Sequence, residues 1–155
     1  SVLPVVEETL DLMAKELARG CVVVVLAAPD RNLRARIGPG PLRQALLNLF
    51  LNAREAMEGG GELTVRVRAE ASWIIVEVED TGGGIDPRLR RKIFEPFFTT
   101  RPAGSGLGLT VVHSIVRSHH ERVDVRSEFG RGATFILRFP RDQKGVADVG
   151  PRGAV

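Results

Sequence analysis

The chain has 155 residues, 43% of them hydrophobic and 26% charged, with a formal net charge of +3. That composition fits one globular domain with its own core, and a single cysteine, Cys21, excludes an internal disulfide and a cysteine-built zinc cluster. Basic residues are spread along the chain, RLRRK at 88–92 being the densest group, which argues against a nucleic-acid footprint, and no apolar run reaches bilayer-spanning length.

Residues 3–20, LPVVEETLDLMAKELARG, carry apolar positions at helical spacing and run into Gly20, a helix stop. CVVVVLA (21–27) reads as a buried strand, PDRNL as a turn and RARI as a short second strand. PLRQALLNLFLNAREAM (41–57) predicts the strongest helix, opened by Pro41 and closed by the glycines at 59–61. ELTVRVR (62–68) and WIIVEVED (73–80) alternate as an antiparallel hairpin, and Trp73 at its second strand reads as core. RLRRKIFEPFF is at most a short helix stopped by Pro96. LGLTVVHSIVRSHH predicts a further helix, then RVDVRS and ATFILRF a second hairpin across EFGRG. The tail, 141–155, lacks apolar periodicity and is expected to be disordered. Alternating strands among helices imply a sheet covered by helices on one face and wet on the other.

Three stretches could carry chemistry. On the 41–57 helix, Gln44, Asn48, Asn52 and Glu55 fall within one sector at about 100° per residue. Spacing alone is satisfied by a solvated polar face, yet asparagine is a poor helix former. Amide oxygens one turn apart suit a hard cation such as Mg²⁺, which also takes waters and substrate phosphates. In EDTGGGI (79–85), Asp80 ends a strand ahead of Gly82, Gly83 and Gly84. This is a turn, or a carboxylate over an open cleft that accepts the exocyclic amine of adenine.

The third stretch is FFTTRPAGSGLGL (97–109), with Gly104, Gly106 and Gly108 ahead of a helix. No Gly-Lys-Ser/Thr ends it, so it is not a Walker A loop, and no buried strand precedes it as in a dinucleotide fingerprint. A helix N-terminus reached through residues without side chains can bind phosphate by its backbone N–H groups, with Arg101 upstream as a partner. A flexible surface loop is the other reading. His119 and His120 flank the end of the following helix, where cations are favoured; with His113 they form no protease-like or zinc-binding pattern.

The order of the motifs is more specific than any one of them. NLFLNAREAM, DTGGGI, FEPFFTT, GSGLGL and GRGATF stand in series, and the series resembles the ATP-binding catalytic domain of sensor histidine kinases. These belong to the Bergerat-fold (GHKL) group with type II topoisomerases and mismatch-repair ATPases. The resemblance covers roughly residues 1–140, and its lid and FFTT wording are most similar to kinases of the nitrogen-regulation type.

The resemblance implies a two-layer α/β (α+β) sandwich with a mixed, largely antiparallel sheet, and Mg²⁺ and ATP as ligands. It implies that Asn48 and Asn52 hold Mg²⁺ and the phosphates, with Glu55 beside them. Asp80 would bind the adenine amine, and Gly82, Gly84 and Ile85 would shape its pocket. Phe94, Phe97 and Phe98 would anchor a lid that Thr99 and Arg101 continue. Gly104, Ser105, Gly106, Leu107, Gly108 and Leu109 would let that lid close on the triphosphate, and Thr134 would support the adenine end through water.

In hydrolysing relatives a glutamate one turn before the second asparagine acts as base toward water. Here that place holds Asn48, which implies transfer of the γ-phosphoryl to a histidine on a separate dimerisation domain of the same kinase, with a response regulator downstream. The chain is accordingly expected to be the cytoplasmic catalytic part of a larger kinase, not itself membrane-inserted and without a nucleic-acid partner. One departure is His119-His120-Glu121 in place of the family's His-Gly-Gly, which loses an easy left-handed helix stop. Two alternatives stay open: a serine kinase of the anti-sigma type, and a nucleotide-sensing module that transfers nothing.

Overall fold

The computed structural model describes residues 1–100, 104–118 and 122–142; the expectations for Arg101, for the His119-His120-Glu121 corner and for most of the tail lie outside these residues. Helix α1 (Val2–Arg19) buries Val2, Val5, Val6, Met13 and Leu17 along one face, the arc that its periodicity predicts. Thr9 lies on the same buried face, and its hydroxyl donates to the Val5 carbonyl at 2.5 Å, so no polar group is stranded there.

The end of α1 departs from the expected glycine stop. Gly20 keeps φ −79°, and the left-handed residue is Cys21 at φ 54°. The Cys21 N–H donates to the Ala18 carbonyl at 3.0 Å, and the Cys21 carbonyl accepts from Gly61 N–H at 3.3 Å. The reversal therefore comes one residue later, where it brings strand β1 (Val22–Ala27) into register with strand β2 (Gly61–Glu70).

Strand β1 is not the buried strand its valines suggest. It pairs with β2 alone, in parallel, and forms an edge of the sheet. Val22 is buried and Leu26 packs on the core, but Val23 is 62% exposed. RARI is not a strand either; it contributes an isolated bridge between Ala35 and Arg141. Helix α2 (Pro39–Ala56) starts two residues before Pro41, with Gly38 as N-cap and prolines in its first turn, where missing N–H groups cost nothing. It buries Leu42, Leu46, Leu49, Phe50 and Ala53, and packs against α1 on one side and α3 (Gly108–Ser118) on the other.

Strands β3 (Trp73–Asp80), β4 (Arg122–Glu128) and β5 (Gly132–Pro140) complete a five-stranded sheet in the order β1-β2-β3-β5-β4, antiparallel except for β1–β2. Between β3 and α3 the chain has a 3₁₀ turn at Pro87–Leu89. One sheet face carries Leu63, Val65, Val67, Ile74, Val76, Val78, Phe135 and Leu137 into a common core with the helices. The other carries cross-strand ion pairs: Arg66 with Glu79, Arg68 with Glu77 at 3.3 Å, and Arg138 with Asp124. Trp73 lies on this second face, 40% exposed, so it is not core. The expected two-layer sandwich is present, its mixed sheet covered on one face by three helices.

Candidate functional site

The end of β3 sets the centre of the site. Asp80 pairs with Leu63 on one side and Ala133 on the other. Residues directly opposite in a sheet share a face, so its carboxylate lies on the helix-covered side, 3% exposed. A buried carboxylate needs partners, and Oδ1 accepts the Gly82 N–H at 2.8 Å.

Two glycines of the loop that follows are seated where there is no room for a side chain. A Cβ on Gly82 would lie 2.4 Å from the Ala56 carbonyl oxygen at the end of α2. A Cβ on Gly84, at φ +69°, would lie 2.3 Å from the Glu128 carbonyl oxygen. Gly130 N–H donates to Gly83 at 2.6 Å, and Ile85, half-buried against the core, donates its N–H to Ser127 Oγ at 2.7 Å. The loop thus bridges α2 and the β4–β5 turn.

On α2, Asn48 and Asn52 are half-buried, whereas Glu55 and Gln44 are exposed. Asn48 Nδ2 donates to the Gln44 carbonyl at 2.8 Å, which fixes the amide plane. Its Oδ1 lies against the first residue of α3: a Cβ on Gly108 would lie 3.3 Å from it. The first N–H groups of α3 have no partner within the helix, and its first turn holds no acidic residue. An amide oxygen thus lies beside the positively polarised end of a helix.

Phe97 and Gly106 are joined backbone to backbone. Phe97 N–H donates to the Gly106 carbonyl at 3.0 Å, and a Cβ on Gly106, at φ +71°, would lie 2.3 Å from the Phe97 carbonyl carbon. Phe97 itself takes φ 63° and is 75% exposed, so what holds it is its backbone rather than packing of its side chain. Phe94 and Phe98 pack against the core. The Phe94 ring stacks on His113 with centroids 5.4 Å apart, and the Phe94 carbonyl accepts the Thr110 hydroxyl at 3.2 Å. Thr99, Ser105 and Leu107 are exposed; Gly104 and Leu109 are half-buried.

Thr134 does not belong to this group. It pairs with Glu79 and Arg126, one residue out of phase with Ala133, and so lies on the ion-paired face, away from Asp80. The role carried over to it at the adenine end is corrected on that ground; Ala133 occupies the facing position. Sequence reasoning missed Ser127 and Ala56. Neither residue type signals a role, and only the fold brings Ser127 to a loop 42 residues away.

Residues 38–143 match the family described as histidine kinase-, DNA gyrase B-, and HSP90-like ATPase. The chain is 38% identical over 143 residues to the two-component sensor PprA of Pseudomonas aeruginosa, covering 86% of this chain and 15% of that protein. Among solved structures, full-length ShkA in complex with AMPPNP superposes with TM-score 0.82 at 29% identity, over 91% of this chain and 30% of that one. The nucleotide-free catalytic domain of histidine kinase ThkA gives TM-score 0.82 at 27% identity, over 90% of this chain and 92% of that one. The chain spans less than a third of the length of the curated relatives it matches. With its helix-backed mixed sheet and its glycine-seated carboxylate, the chain belongs to the histidine kinase-, DNA gyrase B- and HSP90-like ATPase family.

Proposed function

We propose that residues 1–140 form a catalytic domain that binds Mg²⁺-ATP and delivers the γ-phosphoryl group to a histidine on a dimerisation domain of the same kinase, in a two-component pathway that ends at a response regulator. The observation that carries this reading is the approach of Asn48 Oδ1 to Gly108 at the start of α3. It supports a reading in which the Asn48 oxygen and the first backbone N–H groups of α3 meet a triphosphate, and the Asp80 carboxylate accepts the adenine amine.

The donor set fits Mg²⁺. Among the described residues no group of three or more His, Cys, Asp or Glu could hold a metal; the resemblance assigns the ion to the amide oxygens of Asn48 and Asn52, with the nucleotide supplying further oxygens, a division that Mg²⁺ accepts. When bound, the ion neutralises phosphate charge. The chain's own part is positioning: Asp80 orients the base, the α3 N-terminus and the glycines draw the phosphates, and the Phe97–Gly106 junction fixes the lid's root. Asn48 cannot accept a proton, so water is not activated. The γ-phosphorus–oxygen bond would break, ADP leaving with its electron pair, as the unprotonated nitrogen of the acceptor imidazole bonds to phosphorus and the proton on the other ring nitrogen passes to solvent; such transfer depends mainly on alignment and charge neutralisation. No helix among the described residues is long and apolar enough to cross a membrane.

The test is to mix this chain with a helical dimerisation domain carrying the acceptor histidine, Mg²⁺ and γ-labelled ATP. Label on histidine, lost in acid and kept in base, is expected. Acid-stable phosphoserine on a protein partner would point to the anti-sigma type of kinase, and bound ATP without transfer to a module that only senses nucleotide.

A further inference from the structure

Ser127, at the end of β4, lies outside the motifs that define the site, yet its hydroxyl uses both of its hydrogen-bonding capacities on them. Oγ accepts the Ile85 N–H at 2.7 Å and donates to the Gly132 carbonyl at 2.9 Å. One side chain thus ties the far end of the loop after Asp80 to the first residue of β5.

The seam around it has no slack. Gly132 takes φ +123°, and a Cβ there would lie 2.0 Å from the Asp80 carbonyl oxygen. The Gly130 N–H to Gly83 bond, 2.6 Å, runs beside the Ser127 link. Arg90 donates to the Ser127 carbonyl, which holds the end of β4 in turn. On the other side Gly82, whose N–H holds the Asp80 carboxylate, lies so close to the Ala56 carbonyl that a Cβ would not fit. The aim of that carboxylate therefore depends on backbone 82–85, and that backbone is fastened at Ile85.

We propose that Ser127 is a positioning residue for the adenine end of the site, which it serves by holding the 82–85 loop in its binding conformation. The proposal rests on the adenine role given to Asp80 above. Removing the hydroxyl takes a partner from two backbone groups in a half-buried seam. The loop must then be ordered when nucleotide binds, and that cost appears as lost affinity. Because Ser127 acts at the base end, ATP, ADP and adenosine should all lose affinity by the same factor, and the strengthening of ATP binding by Mg²⁺ should be unchanged.

The experiment is titration of these three ligands against wild type, Ser127→Ala and Ser127→Thr, with amide hydrogen exchange at Ile85 in the absence of ligand. Ser127→Ala should weaken all three about tenfold, a loss typical of a buried hydrogen bond. It should also speed Ile85 exchange, and Ser127→Thr, which keeps the hydroxyl, should restore both. Wild-type affinity in Ser127→Ala would overturn the role of Ser127 alone. So would a Thr variant whose Ile85 amide is protected but whose affinity stays low. If the wild-type chain bound no adenine ligand, the adenine reading would fall, and this proposal with it, even with Ile85 protected.

Discussion

Asp80→Asn changes the candidate site by little more than one functional group. The side chain is 3% exposed and its Oδ1 accepts the Gly82 N–H at 2.8 Å. Asparagine is nearly isosteric and has one oxygen, which the Gly82 N–H will claim. The amide nitrogen then stands where the second carboxylate oxygen stood, and donors face the adenine amine where an acceptor is required. A hydrogen bond to a charged group contributes about 1.5–3 kcal/mol, and leaving a donor unpaired adds to the loss. At about 1.4 kcal/mol per tenfold, ATP affinity should fall roughly a hundredfold. Stability should change little, because the Gly82 bond is kept and a neutral amide is easier to bury than a carboxylate. Calorimetric titration with ATP measures the first effect and thermal unfolding the second. ATP affinity within about threefold of wild type would remove Asp80 from the adenine role; an unfolded variant would show that the carboxylate serves the fold first.

Gly132→Ala places a Cβ 2.0 Å from the Asp80 carbonyl oxygen at φ +123°; denaturant unfolding should show a loss of about 3 kcal/mol or more, and a near-wild-type midpoint would mean that the β5 start is looser than described. Asn52→Ala should weaken ATP binding in Mg²⁺ and hardly at all in EDTA, while helix propensity favours alanine; equal loss in both buffers would count against metal coordination. Asp86 accepts bonds from the Arg88 side chain and backbone, which lower its pKa from 3.8 to about 2. Its contribution to stability is therefore full above pH 3.8 and lost as the pH falls through about 2. A carboxyl NMR titration should find that value, and Arg88→Ala should return it toward the ordinary range; an unchanged value in the variant would refute the pairing.

The long periodic elements were legible because their periodicity is their burial: α1, α2, α3 and both hairpins stand within a few residues of their predicted positions. What could not be read depends on neighbours. Four consecutive valines fit a central strand, but β1 has one partner, so Val23 faces solvent. Gly20 was the natural left-handed stop, yet the demands of β1–β2 register moved that geometry to Cys21. Thr134 was assigned by motif position, and strand alternation placed it on the opposite face from Asp80. Among the motif glycines, Gly82, Gly84 and Gly106 each answer a close approach of backbone, at Ala56, Glu128 and Phe97, whereas a Cβ on Gly83 would meet open space. Ser127 was not legible, since its role exists only across the β4–β5 turn.

Asp80, the asparagines of α2 and the N-terminus of α3 are proposed to form one Mg²⁺-ATP site without a base for water. Calorimetric titration of this domain with ATP, with and without Mg²⁺ and followed by an assay for released phosphate, tests it most directly. Binding that Mg²⁺ strengthens, with the bound ATP left intact, is the predicted result. A folded domain that binds no ATP at millimolar concentration, or one that hydrolyses it rapidly, would contradict the account.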